Sequence, residues 1–77
     1  MTDRHNTITV NLDATSRSAV IAAACALLNK SGARAGELGE WRARAAKWDE
    51  LELLHRAAEC GVRYCRSNQP YTLPSSK

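Results

Sequence analysis

Cys25, His55, Cys60 and Cys65 are the side chains best suited to metal binding or nucleophilic attack, and their spacing argues against both. His55, Cys60 and Cys65 follow one another at intervals of five. On a helix that interval turns successive side chains through about 140°, so the three cannot converge on one ion. A zinc site uses C-x2-C or an i, i+4 pair instead. His55 is formally available as a base for Cys60 or Cys25, yet no loop of oxyanion donors accompanies them. Gly32, Gly36 and Gly39 follow no strand of a βαβ unit and read as punctuation, not as a phosphate cradle. We therefore expect no enzyme activity, no catalytic residue, no metal, no cofactor and no small-molecule substrate.

Trp41 and Trp48 carry a stronger signal. They lie seven residues apart, with Arg42, Arg44 and Lys47 between them. Tryptophan is enriched among binding hot spots because it buries a large rigid area and still has a donor to place. These five residues form the candidate partner-binding patch. Two plainer explanations stand beside it. The indoles can be core or dimer packing, and the cations, Arg34 included, can be a solvated face, since Glu37, Glu40, Asp49 and Glu50 stand among them and dilute the field.

The chain that must position these groups has 77 residues and a formal net charge of +3. That is one domain, near the lower limit at which a single core outweighs chain entropy, and dimerisation would relieve the shortage. The charge permits an acidic partner without demanding one. The longest apolar run, Ala19 to Leu28, has ten residues, against about 20 needed to cross a bilayer, so no membrane partner is expected. The polar start, Met1 to Asn6, does not resemble a secretory signal, and the odd cysteine count suits free thiols in a reducing compartment. Both point to a cytoplasmic protein.

Three parts follow from the pattern: a flexible N-terminus over 1–6, a strand-helix-helix dimerisation domain over 7–66, and an extended or disordered tail over 67–77 with two prolines. In Thr7 to Leu12, apolar Ile8, Val10 and Leu12 alternate with polar Thr7, Thr9 and Asn11, the period of a half-buried strand. A lone strand cannot satisfy its own backbone groups, so this one is expected to pair with its twin. Asp13 to Ser16 offers caps for a first helix, which Lys30 and Gly32 close. A second helix is expected from about Glu37 to about Arg66, supported by Glu40 with Arg44, Glu52 with Arg56 and Glu59 with Arg63, each acid four residues ahead of its base. Trp41, Trp48, His55 and Val62 then recur every seven residues and, with Leu51, Ala58 and Cys65, form one coiled-coil-like stripe. Ala46, Leu53, Ala57, Cys60 and Tyr64 form another. Two stripes imply two partners, the first helix and a symmetry mate. The expected fold is thus mainly α, one short N-terminal strand followed by two helices, with a homodimer interface from Ile8, Val10, Leu12, Leu51, His55, Ala58 and Val62.

That order, over about Thr7 to Leu54, resembles the ribbon-helix-helix DNA-binding proteins, in topology rather than by any motif. The resemblance implies a two-stranded ribbon in the major groove. It would make Thr7, Thr9 and Asn11 the DNA-binding residues facing base edges, with amides around Gly36 to Gly39 on phosphate. In size and style the chain also resembles the compact inhibitors that phages direct against host proteins. Between the two, the expected function is a small homodimeric module that binds and inhibits a protein partner. A ribbon-helix-helix transcriptional regulator, with nucleic acid as partner, is the alternative.

Overall fold

Asp49 interrupts the long helix that the heptad spacing predicts. Its carboxylate accepts the amide hydrogen of Glu52 at 2.7 Å, an N-cap that satisfies a donor left over at a helix start. In the computed structural model, which describes residues 7–74, the expected second helix becomes two. They are α2, Ala35–Ala45, and α3, Glu50–Cys60, preceded by α1, Arg17–Lys30.

Each helix has a local reason for its ends. Ser16 caps α1, its hydroxyl accepting from the Ala19 amide at 3.3 Å. Lys30 in the last turn suits the carbonyl end of the dipole, and Gly32 follows at φ 102°. At the start of α2 the Glu37 carboxylate accepts from the Arg34 amide at 3.0 Å. Gly39, inside α2, has open space where a Cβ would stand. Gly39→Ala should therefore raise stability by about 0.5–1 kcal/mol through helix propensity alone, as urea denaturation would show.

Gly61 stops α3. At φ 115° it occupies the left-handed region and donates its amide to the Ala58 carbonyl at 3.0 Å. The next residues, Val62–Arg66, are a strand and not a continuation of the helix. This corrects the expected fold. The N-terminal strand β1, Ile8–Asn11, finds its partner in β2, Val62–Arg66, of its own chain, not in a twin. The two run parallel, with Ile8 opposite Val62, Thr9 opposite Arg63, Val10 opposite Tyr64 and Asn11 opposite Cys65. Parallel pairing needs a long crossover, and the three helices provide it. Ser67 and Asn68, both at positive φ, then make a two-residue turn of the I′ kind. It returns the chain antiparallel as β3, Gln69–Pro70, giving a sheet in the order β1-β2-β3. A mixed three-stranded sheet with three helices thus replaces the mainly α strand-helix-helix arrangement.

The core lies between one face of this sheet and the α1–α3 pair. Leu27, Leu53 and Val62 are its largest fully buried side chains. Ala24, Ala45 and Ala57 have no exposed surface, so the helices approach closely there. The Tyr64 hydroxyl donates to the Leu54 carbonyl at 2.7 Å and ties β2 to α3. Ile8, Val10 and Leu12, expected to face a symmetry mate, pack against this same core, as does Ala58, and Val62 is 1% exposed within it. Leu51 is half-buried, and His55 Nε2 lies 2.8 Å from the Pro74 carbonyl oxygen. Over the stretch expected to be a tail, Tyr71 donates its amide to the Tyr64 carbonyl, and Tyr71 and Leu73 pack on the core. The N-terminus over 1–6 and residues 75–77 lie outside the described residues. No described helix is long and apolar enough to cross a membrane.

Candidate functional site

The break before α3 is what brings the two tryptophans together. Trp41 sits on α2 and Trp48 in the connection that follows, where the chain turns through Ala46 and Lys47. Arg17, at the start of α1, holds that turn. Its Nη2 donates to the Ala45 carbonyl at 2.6 Å and the Trp48 carbonyl at 2.5 Å, tying the last residue of α2 to the connection that follows it. The indoles meet edge to face, with centroids 5.4 Å apart and planes at 84°, an arrangement aromatic pairs favour.

Together they wall an open groove of about 390 Å³. Leu28 and Ser31 of the α1 end, Arg44 of α2, and Arg56, Glu59 and Cys60 of α3 complete it. The Arg56 guanidinium lies 5.5 Å from the centre of a Trp48 ring and is held there by Glu52, Nε to Oε2 2.7 Å. The hydrogen bond and charge of Glu52 raise the Arg56 pKa further, so this cation is permanent. Arg44 forms no ion pair among the described residues. The groove is therefore aromatic on one side and cationic at its rim, with Glu59 the one acid of its lining. Burial, aided by the charges of Glu59 and Cys25, pushes the Cys60 thiol up, which keeps it a neutral apolar lining group and a poor nucleophile.

Of the five residues expected to bind a partner, Trp41, Arg44 and Trp48 line this groove. Arg42 does not; its Nε donates to Cys25 Sγ at 3.4 Å, against α1. Lys47 is exposed in the turn. Arg56 is the member the sequence concealed. Its spacing from Glu52 reads as a solvated helix pair, and only the folding of α3 against the Trp48 turn gives it an aromatic face.

Thr7, Thr9 and Asn11 are not part of the groove's lining. Thr7 and Thr9 are exposed, while Asn11 is half-buried and its Oδ1 accepts from the Asp13 amide at 2.9 Å in a local turn. Their neighbour is β2, which places Arg63 beside Thr9.

No family model, characterised protein or solved structure matches the chain. The chemistry of its surfaces therefore carries any functional reading. The Trp41–Trp48 groove combines aromatic walls with the Arg44 guanidinium and with Arg56, whose guanidinium is already paired with Glu52.

Proposed function

We propose that the protein is an interaction module that grips a segment of a partner protein in the Trp41–Trp48 groove and modulates that partner by occupying the segment. One observation carries this reading: two indoles packed edge to face line an open groove whose rim holds Arg44 and the Trp48-stacked Arg56. Aromatic and arginine side chains converging on one concave surface have the composition of a binding hot spot. Charge complementarity selects an acidic segment carrying a bulky apolar residue, with the apolar group against the indoles and a carboxylate toward Arg44. The surface is complete within one chain. A second copy is not needed to build it, since the strand that called for one is satisfied internally.

Labelled peptides that place leucine or phenylalanine between aspartates, titrated by fluorescence anisotropy, test this reading. Wild-type protein should bind them in preference to lysine-flanked counterparts. Trp41→Ala should weaken binding about 30-fold, the equivalent of the roughly 2 kcal/mol that defines a hot spot. Unchanged affinity in a Trp41→Ala protein with native circular dichroism would remove the groove from consideration.

A further inference from the structure

The two edges of the sheet are finished differently. β3 forms one of them; it is two residues long and ends on Pro70, which has no amide hydrogen to offer. β1 forms the other. Ile8–Asn11 contains no proline and no charged residue, the devices that commonly keep an edge from pairing.

The register fixes which backbone groups the β1 edge presents. Leu12 donates its amide to the Cys65 carbonyl at 2.8 Å, and Thr9 stands opposite Arg63 and Asn11 opposite Cys65 in the parallel pair. In that pattern Ile8, Val10 and Leu12 bond to β2, while Thr9 and Asn11 turn their amides and carbonyls away from it. The Asn11 carbonyl accepts from the Ala14 amide at 3.0 Å. The Thr9 amide and carbonyl and the Asn11 amide have no partner among the described residues.

The side chains beside this edge are unfinished as well. Ile8 and Val10 face the helices, as do Val62 and Tyr64 of β2. Val62 and Tyr64 are 1% and 6% exposed, yet Ile8 and Val10 are only half-buried, so the apolar layer beneath the helices is open at β1. On the opposite face Thr9 and Arg63 point outward. The hollow there has no aspartate or glutamate in its lining, and Arg63 forms no ion pair among the described residues. In a continuous helix Glu59 would sit one turn before Arg63 and neutralise it; Gly61 ends the helix between them.

We propose that the free edge of β1 takes up an extended segment of a partner protein as a fourth strand, with apolar side chains alternating on the helix side and acidic ones on the Arg63 side. Amides and carbonyls at strand spacing are complemented by the backbone of another strand. Ile8 and Val10 supply apolar contact for one alternate set of its side chains. Arg63 supplies charge complementarity for the other. It stands one strand in from the edge, about 10 Å from the incoming backbone, a gap that an arginine and a glutamate close together. This edge shares no residue with the tryptophan groove, and the proposal does not rest on the groove.

Anisotropy of a short labelled peptide of alternating valine and glutamate, blocked at both ends, tests the proposal, with the valine–lysine counterpart in parallel. Wild-type protein should prefer the acidic peptide, and Arg63→Gln should cut that preference by about 1.5- to 5-fold, the value of an exposed ion pair. Thr9→Pro is the decisive variant. The Thr9 amide faces away from β2, where an edge strand tolerates proline, so the variant should keep native circular dichroism yet bind about 10-fold more weakly for the lost hydrogen bond and the obstructing ring. Thr9→Ala, which keeps the amide, should bind as wild type does. Should Thr9→Pro fail to fold, peptides N-methylated on every valine or on every glutamate decide with wild-type protein, since one set should lose binding and the other retain it. Absent binding, no preference for the acidic peptide, normal binding by folded Thr9→Pro, or equal effects of the two methylations would each overturn the proposal. So would loss of binding in Trp41→Ala, which places the peptide in the groove, or a dimer in sedimentation that Thr9→Pro dissociates, which gives the edge to a second copy. Binding of the leucine–aspartate peptides to the groove should be the same in Thr9→Pro as in wild type, so the two surfaces fail separately.

Discussion

Leu53→Ala should lower the unfolding free energy by about 2–5 kcal/mol. Leu53 is 1% exposed, among the most buried large side chains of the molecule, and lies on α3 in the core beneath the sheet. Truncation there removes the transfer energy of its methyl groups and leaves a cavity. Ala24 and Ala57 of the same buried cluster have no exposed surface and no side-chain length with which to fill it. Against a total of about 4–12 kcal/mol for a chain of this size, the loss is severe. It corresponds to a drop in melting temperature of about 10–30 °C. Leu38→Ala, at a half-buried position on α2, is the matched control and should cost much less. Chemical denaturation of both variants measures the difference. A Leu53→Ala cost no greater than that of Leu38→Ala would mean the core is not centred on α3.

Raising the pH should destabilise the fold through Tyr64, and by an amount rivalling a core truncation. Tyr64 is 6% exposed and its hydroxyl donates to the Leu54 carbonyl. Burial first, and then the charge of Cys60, push its pKa from 10.0 up to about 12. The neutral form is thus the one the folded state favours. Below pH 10 both folded and unfolded chains hold the proton and the contribution is fully present. Between about pH 10 and 12 the unfolded chain releases the proton while the folded chain retains it, so stability falls with rising pH. The full shift of about two pH units corresponds to roughly 2–3 kcal/mol. Tyr64→Phe should be less stable at neutral pH by about 1 kcal/mol for the lost hydrogen bond. In exchange it should show a flatter alkaline limb. Denaturation midpoints across pH 9 to 12 compare the two, and parallel curves would show that Tyr64 does not govern the alkaline limb.

The meeting of Trp41 with Trp48 and the separation of Glu59 from Arg63 share one structural cause. A single helix from Glu37 to Arg66 would place Trp41 and Trp48 about 10 Å apart along its axis, at 1.5 Å per residue. It would also keep Glu59 beside Arg63. The turn at Ala46 to Trp48 folds the chain back so that the indoles touch, and Gly61 sends Glu59 and Arg63 to different sides. The protein therefore obtains an aromatic groove and an acid-free sheet face by ending helices, at the expense of ion pairs that a longer helix would have made. Of the three spaced acid–base pairs, Glu52 with Arg56 is the one present as an ion pair among the described residues. That pair is used to hold Arg56 over Trp48.

Much of the local structure was legible in the residues. Alternation places a strand over Thr7 to Leu12, of which Ile8–Asn11 is paired, and a cap between Asp13 and Ser16 with Gly32 at the far end bounds α1 within a residue or two. Two further signals were equally local but were outvoted by periodicity. Asp49 stands three residues before Glu52, the spacing of an N-cap box. Gly61 precedes Val62-Arg63-Tyr64-Cys65, whose branched and aromatic residues alternate with others as a strand requires. A seven-residue recurrence of Trp41, Trp48, His55 and Val62 looked like one stripe, yet it crosses a helix, a turn, a second helix and a strand.

What the sequence determined by itself is which segments are apolar on one side and where caps can close them, because capping, turn chemistry and the strand period act over a few neighbouring residues. Only the tertiary structure decided what each segment meets. β1 needed a partner in either case, and whether that partner was a twin or Val62–Arg66 depended on three helices turning the chain back on itself across some 50 residues. The same long-range geometry chose Arg56 for Trp48 and Arg63 for Thr9, pairings separated by 8 and 54 residues, because side-chain encounters of that kind are fixed by packing and leave no periodic trace in the chain.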